Sequence, residues 1–215
     1  MYSTNMLTKT DAAGLLAQRS APGGISAVRL SGPEDAAEAL TFLASRPIHT
    51  VNLRGFIRDN GLNSPLNRGS FYGFRNAQGR LEGVALIGHA TLVEARTDRA
   101  LEALARKAQE VSDETHMIMG ERERVEEFWN YYAEDGRRPR LACRELLLEL
   151  RRSVTDQKQV RNLRPATLAD LELILPVQAA MAEEESGVNP LVKDPEGFGR
   201  RCARRIEQGR TWVLV

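Results

Sequence analysis

The stretch from Ser70 to Gly120 constrains this chain most. Phe71 to Phe74 alternates and is rich in β formers, and Asn76-Ala-Gln-Gly79 is a turn whose glycine takes positive φ at little cost. Leu81 to Ile87 follows, apolar enough to be buried on both faces, so the three segments predict a hairpin. Thr91 to Ala95 predicts another short strand. Asp98 to Glu110 then carries Leu101, Leu104, Ala105 and Ala108 at helical spacing, before Thr115 to Met119 returns to β character. The order strand, strand, strand, helix, strand makes the last two strands parallel neighbours joined by a crossover helix. A ligand is expected where that crossover begins.

Upstream, Asp11 to Arg19 reads as a short helix and Ser20 to Gly24 as a loop, and Ile25 to Leu30 reads as a strand. Ser31 caps a helix with Pro33, Glu34 and Asp35 in its first turn and Ala36, Ala39, Leu40 and Leu43 as its stripe, stopped by Pro47. Ile48 to Arg58 reads as a second helix, with Val51, Leu53, Phe56 and Ile57 inward and Gly61 as a left-handed cap. Downstream, Glu121 to Asp135 is a helix with Val125, Phe128, Trp129 and Tyr132 inward, ended by Gly136. Leu141 to Leu150 is read as a strand, because a sheet ending on a short parallel element needs a partner for its edge.

Residues 151–159 are polar, lack periodicity and read as a linker, which divides the chain into a domain of residues 1–150 and a second unit of 160–215. In that unit, residues 160–167 form a short strand ending at Thr167, an N-cap. Leu168, Leu171, Ile174, Leu175, Gln178 and Met181 mark one face of the helix that follows, and Gly187 ends it. Asp194 and Pro195 open another helix with Phe198, Cys202 and Ile206 as its stripe, and Thr211 to Val215 reads as a buried strand. A unit closing on an unpaired apolar strand leaves backbone groups without partners, which suggests a longer parent protein and an edge that promotes association, with a homodimer as one outcome.

Composition narrows the function classes. A net charge of +1 over 215 residues gives no general drive toward nucleic acid or an anionic membrane. No apolar run approaches the roughly 20 residues of a membrane helix, and the N-terminus lacks a secretory pattern, so the expectation is a cytoplasmic protein without membrane or nucleic-acid partners. Cys143 and Cys202 stand far apart and the chain has three histidines, which predicts buried free thiols and no zinc site.

Two segments resemble one family. The run Arg161-Asn-Leu-Arg-Pro-Ala-Thr167, two helices and Gly209-Arg-Thr-Trp-Val-Leu-Val215 resemble the opening of a GNAT N-acetyltransferase domain. The central stretch resembles the middle and later parts of such a domain. The resemblance implies tandem GNAT-like units with a mixed central sheet flanked by helices, the second unit incomplete. It also implies acetyl-CoA as cosubstrate and a small-molecule or peptide amine as acceptor. The family holds the pyrophosphate with a Q/R-x-x-G-x-G/A loop at a helix N-terminus, where glycines let the backbone approach the phosphates. The matching stretch here is Arg96-Thr-Asp-Arg-Ala-Leu101, with Arg99 and Leu101 in the glycine places, so the first unit is read as degenerate. Arg96 and Arg99 remain the candidate anion contacts as side chains.

In the second unit, Glu183, Glu184, Glu185 and Asn189, near Ser186, sit where the resemblance places the amine acceptor. Charges at a helix end are more often simply solvated, which is the competing reading. Arg200, Arg201, Arg204 and Arg205 form either a phosphate-binding patch or a solvated face. Tyr131 and Tyr132 resemble the family's proton-donating tyrosine in helical context; the stripe assigns Tyr132 to the core and leaves Tyr131 freer. His89 and His116 read as structural. Two functions stay open: part of an N-acetyltransferase, or a non-catalytic GNAT-like binding or regulatory module.

Overall fold

The computed structural model describes residues 26–111, 115–133, 138–152 and 160–215. The expected helix at Asp11 to Arg19, the loop to Gly24, the stop at Gly136 and most of the linker lie outside them. The chain divides into two units, Met1–Leu147 and Leu148–Val215.

The first unit is an α/β structure built on a five-stranded sheet: β1 Val28–Arg29, β2 Gly69–Arg75, β3 Leu81–Gly88, β4 Ala90–Ala95 and β5 Met117–Met119, in that spatial order. The first four pair antiparallel, and β4 and β5 run parallel, as a crossover through a helix requires. The β2–β3 turn forms where Gly79 supplies φ +77°, and the Asn76 side chain accepts from the Gln78 and Arg80 amides. Helices α1 Gly32–Leu43 and α2 Val51–Asn60 precede β2; α3 Asp98–Val111 is the crossover, and α4 Arg122–Tyr132 follows β5.

Alternation along the central strands sorts two cores. Val84 and Leu86 of β3 and Leu92 of β4 pack with Leu43, Leu53 and Ile57 of α1 and α2. Ala85, Ile87, Val93 and Ala95 pack with Leu101, Leu104 and Phe128 of α3 and α4. The sheet is therefore covered on both faces. Phe42 joins the α1 stripe, while Val51 stays half exposed on α2. At Ser31 the cap is reversed: its side chain makes no capping bond, and the Ser31 amide donates to Asp35 instead (2.8 Å).

Leu141 to Leu150 forms no strand; its backbone is irregular and its side chains are exposed. Strand propensity is realised only in a ladder, and this segment has no ladder partner among the described residues. Cys143 is consequently exposed, contrary to the expected burial, while Cys202 is buried.

The second unit pairs β6 Leu163–Pro165 antiparallel with β7 Trp212–Leu214, with α5 Leu171–Ser186, the short α6 Pro190–Lys193 and α7 Pro195–Glu207 between them. The closing strand is thus laddered on one side, and its Trp212 and Leu214 are exposed rather than buried. The face expected of the first helix holds at Leu171, Ile174, Leu175 and Gln178, all buried or half-buried, and fails only at its two ends. Residues 168–170 form a 3-10 turn, so α5 begins at Leu171 and buries Ile174 and Ala179. Leu168 and Met181 are left in solvent. On α7, Phe198, Cys202 and Ile206 are buried, as their spacing predicts.

Among the described residues no helix is long and apolar enough to cross a membrane.

Candidate functional site

In the first unit the parallel pair opens where its register ends. Ala90, Thr91 and Leu92 of β4 match Met117, Ile118 and Met119, but β4 continues to Ala95 along β3 while the chain after Met119 turns into α4. Gly120 makes that turn close to β4: a Cβ there would lie 3.4 Å from the Val93 carbonyl oxygen. Beyond it lies an open cleft of about 600 Å³, lined by Arg46, Glu94, Arg96, Glu121, Arg124 and Glu127 among others.

The period-2 rule that sends Leu92 toward α1 and α2 sends Glu94 the same way, and Glu94 is only 9% exposed. A buried carboxylate needs a cation, and Arg46, just beyond α1, supplies it (Nη1 to Oε1, 3.2 Å). The same guanidinium reaches Glu121 at the start of α4 (Nη2 to Oε2, 2.7 Å). Arg46 thus ties β4 to α4 across the cleft. Its hydrogen bond to Glu121 raises the guanidinium pKa against the pull of desolvation, and the same bond holds the Glu121 carboxyl below the ordinary glutamate range. Arg124 makes a second tie, to Asp98 at the start of α3 (2.8 Å) and to Glu127 (3.0 Å), and the Asp98 bond is the main cause of its raised pKa.

The α3 N-terminus, where an anion would be expected, is occupied by the chain's own groups. Thr97 Oγ1 accepts from the Ala100 amide (3.2 Å) and donates to Glu82 (3.1 Å). Asp98 puts a negative charge on the first turn.

The two predicted anion contacts do not converge. Arg96 lies over the Phe42 ring at 4.4 Å and donates to the Phe42 carbonyl and Ser45 Oγ, on the α1 side. Arg99 sits 6.0 Å from the Phe74 ring, which belongs to the core on the α3 side. The sequence places them three residues apart, but the strand-to-helix junction sends them to opposite faces of the sheet. Sequence reasoning missed Arg46 and Glu94. The signal available was a glutamate inside an apolar strand.

In the second unit, Asn189 donates to Glu183 (2.9 Å) while its own oxygen caps α6 by accepting from the Leu191 amide. Glu184 and Glu185 are exposed and do not join them. On α7, Arg200, Arg201 and Arg204 meet Glu196, Asp194 and Glu207 while Arg205 is exposed, which makes this a largely compensated face. Tyr131 and Tyr132 both pack half-buried against the α3 and α4 core, so Tyr131 is less free than expected. His89 and His116 stack at 5.0 Å near the start of β4, the opposite end from the cleft. No group of three or more His, Cys, Asp or Glu that could hold a metal ion occurs among the described residues.

Compared with known proteins, the chain matches no family model, no curated protein and no solved structure.

Proposed function

We propose that the first unit is a non-catalytic GNAT-like module, carried in one chain with the opening of a second GNAT-like unit that belongs to an N-acetyltransferase acting on an amine acceptor. The observation that carries this reading is the Arg46 bridge. In the arrangement proposed as ancestral, acetyl-CoA lies where β4 and β5 part, with its pyrophosphate on the N-terminus of α3. Here that position holds Glu94, Glu121 and Asp98, each paired to an arginine of the same unit. An incoming pyrophosphate would have to displace those carboxylates and would find the Ala100 amide already bonded to Thr97. The residues of the first unit do not fit acetyl-CoA, and no chemical step is assigned to it.

In the second unit, Glu183, Glu184, Glu185 and Asn189 are the residues proposed to meet the amine. The Asn189 amide holds one Glu183 oxygen and leaves the other free to accept from an ammonium group.

Isothermal titration of the chain with acetyl-CoA tests the first part. No saturable binding is expected. Micromolar binding that Arg96→Gln weakens would overturn it. Incubating the full product of the encoding gene with labelled acetyl-CoA and a panel of amines tests the second part: acceptor-dependent transfer lost on Glu183→Gln is expected, and its absence across the panel argues against an acetyltransferase.

A further inference from the structure

The chain has two unsatisfied features that match each other, a leucine-rich segment across the boundary of the two units and an edge strand of the first. Leu141, Leu146, Leu147, Leu148 and Leu150 are all exposed, from 57% for Leu147 to 84% for Leu148, on a stretch of irregular backbone. Five leucines within ten residues left in water is a large apolar surface for one segment. The second feature is β5. It closes the sheet, is held on its inner side by three residue pairs with β4, and no strand pairs with its outer edge among the described residues. Met117 on that edge is 45% exposed. A short apolar edge with unpaired backbone groups is a template for strand addition.

We propose that two copies of this chain associate by strand exchange, the segment Leu141–Leu150 of each copy adding to the β5 edge of the other as a sixth strand. The segment alternates as a strand requires: Leu146, Leu148 and Leu150 share one face, with Leu147 and Glu149 on the other. Within a single copy residues 141–150 form no strand and all five leucines are exposed. Each copy carries both a donor segment and an acceptor edge, so one two-fold contact satisfies both twice. The leucine side chains of two copies supply roughly 1,200 Å² of burial before any backbone or acceptor surface is added, which reaches the lower bound of a specific, stable interface. This surface is separate from the cleft, and its test is independent of whether the first unit binds acetyl-CoA.

The native Cys143 lies inside the segment and is exposed, so it can report the exchange. A tagged Met117→Cys/Cys143→Ser chain is mixed with an untagged wild-type chain, re-equilibrated and oxidised, and the same is done with Ile118→Cys and Met119→Cys to cover the register. Cross-strand neighbours are about 4.5–5.5 Å apart, within disulfide reach. A tagged–untagged disulfide at one of the three positions is expected, together with twice the chain mass by sedimentation. The triple variant Leu146→Gln/Leu148→Gln/Leu150→Gln is expected to lose both while keeping its circular dichroism spectrum, because it removes no buried side chain. Three results would each overturn the exchange: a cross-link formed only within one chain when Met117→Cys retains Cys143, no cross-link at any position, or a wild-type chain that sediments as a monomer at every concentration.

Discussion

Arg46 is the residue on which the first unit's cleft depends, because one guanidinium answers a buried carboxylate on β4 and a half-exposed one at the start of α4. Replacing it by methionine keeps most of the stem packing and strands Glu94, a loss of about 1–3 kcal/mol once the partial exposure of the pair is allowed for. The double variant Arg46→Met/Glu94→Gln should recover most of that loss in urea unfolding, and equal stabilities of the single and double variants would show that the bridge does not couple the two. The pH dependence follows from Glu121. Its folded pKa is depressed, so its contribution is present above the unfolded value, about 4.3, and disappears as pH falls through the folded one. Arg46→Met should flatten that acid limb. In the second unit Asp170 accepts twice from Arg164, at 2.8 Å each, and from the Thr167 amide, which together hold its carboxyl far below the usual range. Asp170→Asn should lower the melting temperature of the chain at pH 7, with the difference from wild type shrinking as pH falls below about 4.

Among elements, the contact between β2 and β3 at their outer end leaves no room for a side chain. A Cβ on Gly88 would stand 2.2 Å from the Arg68 carbonyl oxygen and 2.5 Å from the Gly69 Cα, both backbone atoms that can retreat only by parting the strands. Gly88→Ala should cost about 1–3 kcal/mol or more. Gly55, inside α2, meets nothing within 4 Å, so Gly55→Ala should stabilise by about 0.5–1 kcal/mol through the unfolded chain. The two substitutions add the same methyl group with opposite sign, and chemical denaturation of both separates a packing limit from a propensity limit. Phe128 anchors α4 with no exposed surface, and Phe128→Ala should cost about 3–5 kcal/mol. Element existence follows from local pattern where that pattern is long. α3 needs only its leucine and alanine spacing, and the β2–β3 hairpin needs its turn glycine and an apolar run. α5 shows the limit at its start: residues 168–170 form a 3-10 turn whose Thr167 amide donates to Asp170, which leaves Leu168 exposed while Leu171, Ile174 and Leu175 keep the face that their spacing predicts.

For the whole molecule, the even charge of +1 and the ion pairs on Arg200, Arg201 and Arg204 predict that the chain leaves duplex DNA unbound in a fluorescence titration at physiological salt, where saturable binding would contradict a compensated α7 face. The sequence by itself determined the mixed sheet, the parallel β4–β5 pair, the crossover helix and the strand–helix–helix–strand order of the second unit, because hydrophobic period and turn chemistry are local and dominate over the lengths involved. It also determined that a side chain stands in each glycine place of the expected phosphate loop. Tertiary structure alone decided which groups fill the cleft. Arg46 is 48 residues from Glu94 and 75 from Glu121, and no local pattern links a residue after one helix to a strand and a turn that the fold brings beside it. It also decided that Arg96 and Arg99 point to opposite faces, since that depends on how the chain rotates between β4 and α3. And it decided that Leu141–Leu150, strand-like in sequence, has no ladder among the described residues, because a strand is defined by its neighbour and a neighbour is a property of the assembled sheet.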